Sequence, residues 1–378
     1  MEAVIIDQAI KIDKSTWQLV KFGDVVFEPK ESCRDIIAEG IEHVVGLEHI
    51  DSEDMHLKRS ASSEESTTFT KMFRKGDVLF GRRRAYLKKA ALASFDGICS
   101  GDITVFRTNE ELSPALLPFV VNNDKFFDYA VKHSAGGLSP RVKFKDLANY
   151  EFLLPPKSEQ ARLAELLWAM DEVIEKEKEV LENINRTDLS YLKQYFYDDE
   201  STKRIKLKNI VTIKKGKKPS VLLDKGEGLP YCTAKYLRTG EIESIVPEEA
   251  WAKAVKINET DIIVLWDGSN AGEMLLGKLG FLASTMCKLD LKDDSFLKNF
   301  VYHFLRFKTK DIKRATVGSA IPHVDPGMIE NIEIPLFDIE KQRLVVELFK
   351  AINSNIASLD IKISSSQSLQ KSLINQIF

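Results

Sequence analysis

"LLPPKSEQARLAELLWAMDEVIEKEKEV" (Leu153–Val180) and "PLFDIEKQRLVVELFKAINSNIASLDIK" (Pro335–Lys362) align without a gap at a spacing of 182 residues. Across 23 positions starting at Asn149 and Asn331, seven are identical, among them Gln160/Gln342, Glu165/Glu347 and Leu166/Leu348. The register reaches upstream, where "GGLSPRV" (Gly136–Val142) falls on "GSAIPHV" (Gly318–Val324), and further back "FRKGDVLFGRR" pairs with "INETDIIVLWDG", Asp77 with Asp261. The chain is therefore an internal duplication, globular block then helix, twice.

Each helix has a start signal. Pro155 and Pro156 end the preceding segment and Ser158 is placed to cap; Pro335 and Asp338 play those parts in the second copy. Apolar residues then recur at spacings of three and four: Leu163, Leu166, Met170, Val173, Leu181 and Ile184, and in the second copy Val345, Leu348, Ile352, Ile356, Leu359, Ile363, Leu369 and Leu373. Such a seam predicts two helices of about 40 residues, roughly 60 Å long at 1.5 Å per residue, longer than a domain of this size is wide. The fold class that follows is α/β, with two α/β domains separated by two long helices that form an antiparallel coiled coil; the other reading, that each helix packs on its own domain, is disfavoured by that length. The boundaries are 1–157, 158–200, 201–338 and 339–378.

The 378 residues are 44% hydrophobic and 29% charged, enough for ordinary cores. No apolar run is long enough to span a bilayer, and the charged opening "MEAVIIDQAIKIDKSTWQ" lacks the apolar core of a signal peptide, which together predict a cytoplasmic protein. Cys33, Cys99, Cys232 and Cys287 are far apart and read as buried thiols. The net charge of −3 is unevenly spread: residues 158–200 hold 5 basic against 12 acidic side chains, residues 201–338 hold 22 against 18. A polyanion would meet the globular blocks and avoid the first helix.

In the globular blocks, β-rich runs such as "GDVLF", "DITVF", "DIIVLW" and "ASTMCKLDL" alternate with helical stretches such as "LLPFVVNNDKFFDYAVK" and "FLKNFVYHFLRFKTKDIKR". There is no phosphate loop, no dinucleotide fingerprint and no Asn/Asp-Pro-Pro-Tyr stretch, so no catalytic role is expected. His43, His49, Asp51, Asp54 and His56 fit no regular ligand spacing and read as a solvated acidic loop, with no metal site.

Basic, glycine-bearing loops stand out instead. "GRRRAYLKK" places Arg82, Arg83, Arg84, Lys88 and Lys89 around Tyr86; "KKGKKPS" holds Lys215, Lys217 and Lys218; "CTAKYLRTG" adds Lys235 and Arg238. Arginine and lysine on such loops suit base-edge and phosphate contacts on a nucleic acid, the plainer reading being a solvated surface. The turns ending at Arg141 and His323 read equally as hinges or as DNA contacts.

The two segments "GGLSPRVKFKDLANYEFLLPPKSEQARLAELL" and "GSAIPHVDPGMIENIEIPLFDIEKQRLVVELF" resemble the DNA-specificity subunits of type I restriction-modification systems, over nearly the whole chain. Two departures are that "PLFD" lacks the paired prolines and that Lys341 stands opposite Glu159. The resemblance implies a non-catalytic subunit. Residues 1–157 and 201–338 would be target-recognition domains reading the halves of a bipartite, asymmetric double-stranded DNA site. Residues 158–200 and 339–378 would be spacer helices that set the gap and dock two modification subunits, which carry S-adenosylmethionine and methylate adenine N6. A restriction subunit using ATP and Mg is a further implied partner; no cofactor is bound by the chain itself. The alternative from a different class is a coiled-coil scaffold bridging protein partners without DNA.

Overall fold

The computed structural model describes residues 12–36, 38–63, 67–197, 203–316 and 322–378. The Gly318–Ile321 part of the second proline turn lies outside the described residues. The chain divides into two units, residues 1–178 with 361–378, and residues 179–360.

The first unit runs β1 (Gln18–Lys21), α1 (Phe22–Val25), β2 (Val26–Phe27), β3 (His43–Val45), β4 (Ala61–Ser62), β5 (Lys71–Phe73), β6 (Val78–Gly81), β7 (Ala90–Leu92), β8 (Gly97–Cys99), β9 (Ile103–Thr108), α2 (Leu117–Val121), α3 (Asp124–Lys132), α4 (Phe144–Leu147), β10 (Glu151–Leu154) and α5 (Lys157–Tyr197), whose last part belongs to the second unit. Its sheets have the orders β2-β9-β6-β7, β4-β3-β8-β5 and β1-β10. The second unit continues with β11 (Arg204–Lys206), α6 (Leu207–Ile210), β12 (Val211–Lys215), β13 (Leu229–Cys232), α7 (Ala234–Thr239), β14 (Ile245–Val246), β15 (Lys256–Ile257), β16 (Ile262–Leu265), β17 (Met274–Leu276), β18 (Gly280–Leu282), β19 (Met286–Leu291), α8 (Lys298–Arg314), α9 (Pro326–Glu330), β20 (Glu333–Pro335) and α10 (Ile339–Ile377). Its sheets repeat the same three orders, β12-β19-β16-β17, β14-β13-β18-β15 and β11-β20. The duplication is thus complete at the level of strand order, and in each copy one pair, β3 with β8 and β13 with β18, is parallel.

The central strands read as unbroken apolar runs because both faces are covered. Val78 and Phe80 of β6 enter one core with Phe22, Phe106 and Phe126, while Leu79 enters another with Val45 and Val105. Ile262 and Val264 of β16 pack with Phe300 and Phe304 of α8, and Ile263 and Leu265 face Cys232 and Leu282. All four cysteines are buried and free, and burial pushes the thiols of Cys99, Cys232 and Cys287 up to about 12.

At the second helix start Asp338 caps as expected, accepting from the Lys341 amide at 2.7 Å. At the first, the helix begins at Lys157, so Ser158 lies inside the first turn instead of capping it. Glutamine does the stitching in both copies. Gln160 accepts from Ser113 N–H at 2.7 Å and donates to the Pro155 and Glu111 carbonyls at 3.0 Å; Gln342 accepts from Leu297 N–H at 2.8 Å and donates to Phe337 and Ser295 at 2.9 and 3.0 Å.

On α5 the helical seam differs from its sequence reading by one position. On α5 in the first unit the buried row is Gln160, Ala164, Leu167, Asp171, Ile174 and Glu177, whereas Leu166 and Val173 are 46% and 50% exposed. Leu163 and Met170 are half-buried against the first core, which Leu373 of α10 joins; Ile363 is buried, and Leu369 is 60% exposed. The cause is chemical: the buried row contains polar residues, which a search for apolar period passes over. Gln370 reaches the Leu167 carbonyl and Asp171 at 3.5 Å, and Lys362 pairs with Glu177 at 3.0 Å. Because 370 meets 167 and 362 meets 177, the two segments run antiparallel within this unit. In the second unit Val345 is buried, and Leu181, Ile184, Leu348, Ile352, Ile356 and Leu359 are half-buried. There Phe196, near the end of α5, packs on Phe300 and Phe304 at 5.8 and 5.1 Å and shares a core with Val345 and Phe349 of α10.

Candidate nucleic-acid interface

Where the two proline turns leave toward α4 and α9, residues 140–142 and 322–324 share one pattern of backbone hydrogen bonds. In the first unit Arg84 N–H donates to the Pro140 carbonyl at 2.8 Å and Val142 N–H to the Arg82 carbonyl at 3.0 Å; in the second, Gly268 donates to Pro322 and Val324 to Trp266, both at 2.9 Å. Isolated bridges pair Arg83 with Arg141 and Asp267 with His323. The turns therefore pin the loop after β6 or β16 to the segment entering α4 or α9, which is a structural role for Arg82, whose side chain also donates to the Val142 carbonyl at 3.2 Å.

On this shared frame the side chains differ, and one position reverses charge. In the first unit Asp102 receives Arg141 Nε at 2.7 Å and Arg83 Nη1 at 3.2 Å, and Ser139 Oγ accepts from Arg83 at 3.0 Å and Arg84 at 3.3 Å. Burial pushes the Asp102 carboxyl up, but the two guanidiniums outweigh it and hold it below the usual carboxylate range. In the second unit an acid, Asp267, stands where Arg83 stands, paired with Lys215 at 3.0 Å, and exposed His323 stands where Arg141 does. Asp102, Ser139 and Asp267 are absent from the sequence reading, because their roles depend on partners 19 to 56 residues away.

The remaining basic residues separate into engaged and open groups. Lys88 pairs with Asp124 at 2.6 Å, Lys235 with Glu241 at 2.9 Å and Glu243 at 3.3 Å, and Arg238 donates through Nε to Glu273 at 3.1 Å. Tyr86 projects from a 3-10 turn, Ala85–Leu87, and is exposed. Lys217 and Lys218 are exposed with no carboxylate partner among the described residues, just after Gly216, whose missing Cβ lets the chain pass against the Ala283 carbonyl.

The segment read as a solvated acidic loop is instead docked. His56 Nε2 lies 2.7 Å from Asp171 of α5, while Ile50, Met55 and Leu57 are buried. Asp54, His56 and Glu175 place ligand atoms within 4.8 Å of one another, but Lys58 already fills the group, 3.0 Å from Asp54 and 2.9 Å from Glu175. A lysine ammonium there does the work of a cation, joining loop to helix.

Two stretches, residues 14–186 and 200–365, match the family described as the type I restriction modification DNA specificity domain. The chain belongs to that family. Among curated relatives, the MjaVIII specificity subunit of Methanocaldococcus jannaschii is 36% identical over 176 residues, 46% of this chain and 41% of the relative. The MjaIX specificity subunit of the same organism is 26% identical over 261 residues, 60% of each, and the EcoDI specificity subunit of Escherichia coli 30% over 128 residues, 33% and 28%. The chain thus spans three fifths or less of the length of these relatives. Two solved structures share the fold: the S subunit of a type I system from M. genitalium, with a TM-score of 0.62 at 16% identity, covering 99% of this chain and 98% of that one, and a chain from the type I R-M system, with a TM-score of 0.59 at 22% identity, covering 96% of each. Among the described residues no helix is long and apolar enough to cross a membrane.

Proposed function

We propose that this specificity-family chain reads a bipartite, asymmetric DNA site, residues 1–157 taking one half and residues 201–338 the other. The observation that carries the reading is the shared frame with unlike side chains: Arg83 and Arg141 paired to Asp102 in one unit, Asp267, paired to Lys215, and His323 in the other. A common strand order and matching backbone hydrogen bonds bearing unlike side chains give two readers of common architecture and different preference. α5 and α10 form an antiparallel coiled coil that fixes the gap between half-sites. Supporting this are the reversed pairing of residues 167–177 with 362–370 in the first unit and the shared core of Phe196, Val345 and Phe349 in the second. Exposed Leu166, Val173 and Leu369 on these helices offer apolar surface to two modification subunits, which bind S-adenosylmethionine and methylate adenine N6. Restriction subunits driven by ATP and Mg join the same assembly, and the chain acts in the cytoplasm, binding no cofactor itself.

Sequencing methylated adenines in the source genome tests the reading: one adenine on each strand of a split motif with a constant gap is expected, and continuous or absent motifs would refute it. In a gel shift of the chain with its modification subunits, affinity for that site should fall steeply with salt. K217A/K218A should lower the slope of log K against log salt by up to about 2, since each phosphate contact contributes about 0.9. A salt-insensitive complex would favour the scaffold.

A further inference from the structure

The tip of the first proline turn stands out among the apolar positions of the described residues. Leu138 is 98% exposed, and among the described residues no other large hydrophobic side chain is as open. The turn beneath it is built rigidly. Ala135 and Arg141 exchange both backbone hydrogen bonds at 2.9 Å, and Gly136 adopts φ +116, a conformation L side chains rarely take. Gly137, next to the tip, has nothing within 4 Å of where a Cβ would stand, so the approach is clear. Ser139, on the other side of the tip, holds the guanidiniums of Arg83 and Arg84, and Arg141 closes the ring against Asp102. A leucine is thereby presented to solvent at the head of a braced ring whose foot carries three arginines and one carboxylate.

That combination has a specific chemical complement. An apolar tip alone suits many partners, but one flanked by guanidiniums with N–H donors to spare suits a surface where stacked apolar rings lie between rows of anionic oxygens. We propose that Leu138 is a wedge that enters a base step of duplex DNA, while Arg83, Arg84 and Arg141 take the flanking phosphates. The inference rests on the DNA-reading function proposed above and deepens it, because it assigns the first unit a means of reading step deformability as well as base edges. No covalent chemistry is involved; the step unstacks, and the leucine replaces the lost base contact.

The test uses the full chain assembled with its modification subunits, on the duplex identified by methylation sequencing. 2-Aminopurine replaces one base at a time outside the methylated adenine. With the unaltered chain, one step in the half-site read by the first unit should brighten on binding. L138A should abolish that signal and weaken specific binding about tenfold, the usual effect of losing one position of readout, while L138F should keep both. Because Leu138 touches no core, melting temperatures should be unchanged in both variants. Unaltered brightness and affinity in L138A would overturn the wedge while leaving DNA reading intact. So would loss of modification-subunit binding by L138A without DNA, which would make the tip a protein contact. If the unaltered assembly binds no DNA, the wedge and the reading beneath it fall together.

Discussion

Gln160 and Gln342 show how much one side chain can fix. Each amide is buried and spends its oxygen on one backbone N–H and its nitrogen on two carbonyls, tying the first turn of a long helix to the strand that enters it and to the loop before α2 or α8. Gln160→Ala should leave the Ser113 amide and two carbonyls unsatisfied and destabilise the first unit by about 1–3 kcal/mol, read as a lowered denaturation midpoint. Gln160→Glu should cost no less, because a carboxylate cannot donate to the Pro155 and Glu111 carbonyls. His303 makes a second residue-scale case. It is buried on α8 against Phe349 with Nδ1 lacking a hydrogen-bond partner, and burial, with Arg306 and Lys350 nearby, pushes it down to about 4. Since the folded value lies below the unfolded one, its contribution is complete above about pH 6.5 and is lost as pH falls toward 4, at no more than about 1.4 kcal/mol per pH unit. His56 acts with the opposite sign: its hydrogen bond to Asp171 outweighs burial and raises it, so its contribution fades as pH rises. The difference between the unaltered protein and His303→Phe between pH 6.5 and 5 isolates the first effect, and identical melting-temperature profiles would refute it.

At the scale of the element, the starts of the long helices were legible in the sequence, expected at 158 and 339 and found at Lys157 and Ile339, because proline stops and apolar period are local signals; the expected end of the first at 200 lies outside the described residues. The inward face of α10 was legible at Val345, Ile363 and Leu373, which are buried, but that of α5 was not. The row that α5 buries includes Asp171 and Glu177, whose charges are met by His56 and Lys362 from distant segments, and nothing local announces that a carboxylate on a helix will have a partner. The consequence can be measured. Leu167→Ala should cost about 2–5 kcal/mol through the cavity it leaves, while Leu166→Ala, one position away, should stay within about 0.5 kcal/mol. Leu166→Ala should instead weaken assembly with modification subunits. The strands show the same division. "DIIVLW" and "GDVLF" read correctly because central strands are apolar on both faces, but the sheet orders did not follow, since two-to-four-residue strands such as β4 and β14 carry no usable period. Of the interface, the basic loops were visible and their acidic partners were not, since Asp102 and Asp267 become neighbours of Arg83 and Lys215 only on folding.

At the scale of the whole molecule, the first unit is completed by residues distant from it in sequence. Residues 361–378 belong to the first unit, although the entire second unit precedes them in sequence. They bring Leu373, Ile374, Ile377 and Phe378 into the core of Phe22, Phe106 and Phe152, and Phe378 lies 6.3 Å from Phe152 edge to face. Polar clasps accompany them: Asn375 donates to Asp124 at 2.7 Å, and Lys371 bridges Glu53 and Asp124 at 2.8 and 3.5 Å. A chain cut after Asp360 should therefore damage the unit furthest from the cut in sequence. Four large buried side chains at about 2–5 kcal/mol each exceed or match the 5–15 kcal/mol that holds a typical domain together. Hydrogen exchange on the truncated chain should show protection lost across β6, β9 and α3 but retained across β16, β19 and α8, whose core receives nothing from those residues. Adding residues 361–378 as a separate peptide should restore protection to the first unit alone. Equal loss in both units, or loss confined to the second, would mean that the last turns of α10 do not complete the core of the first unit.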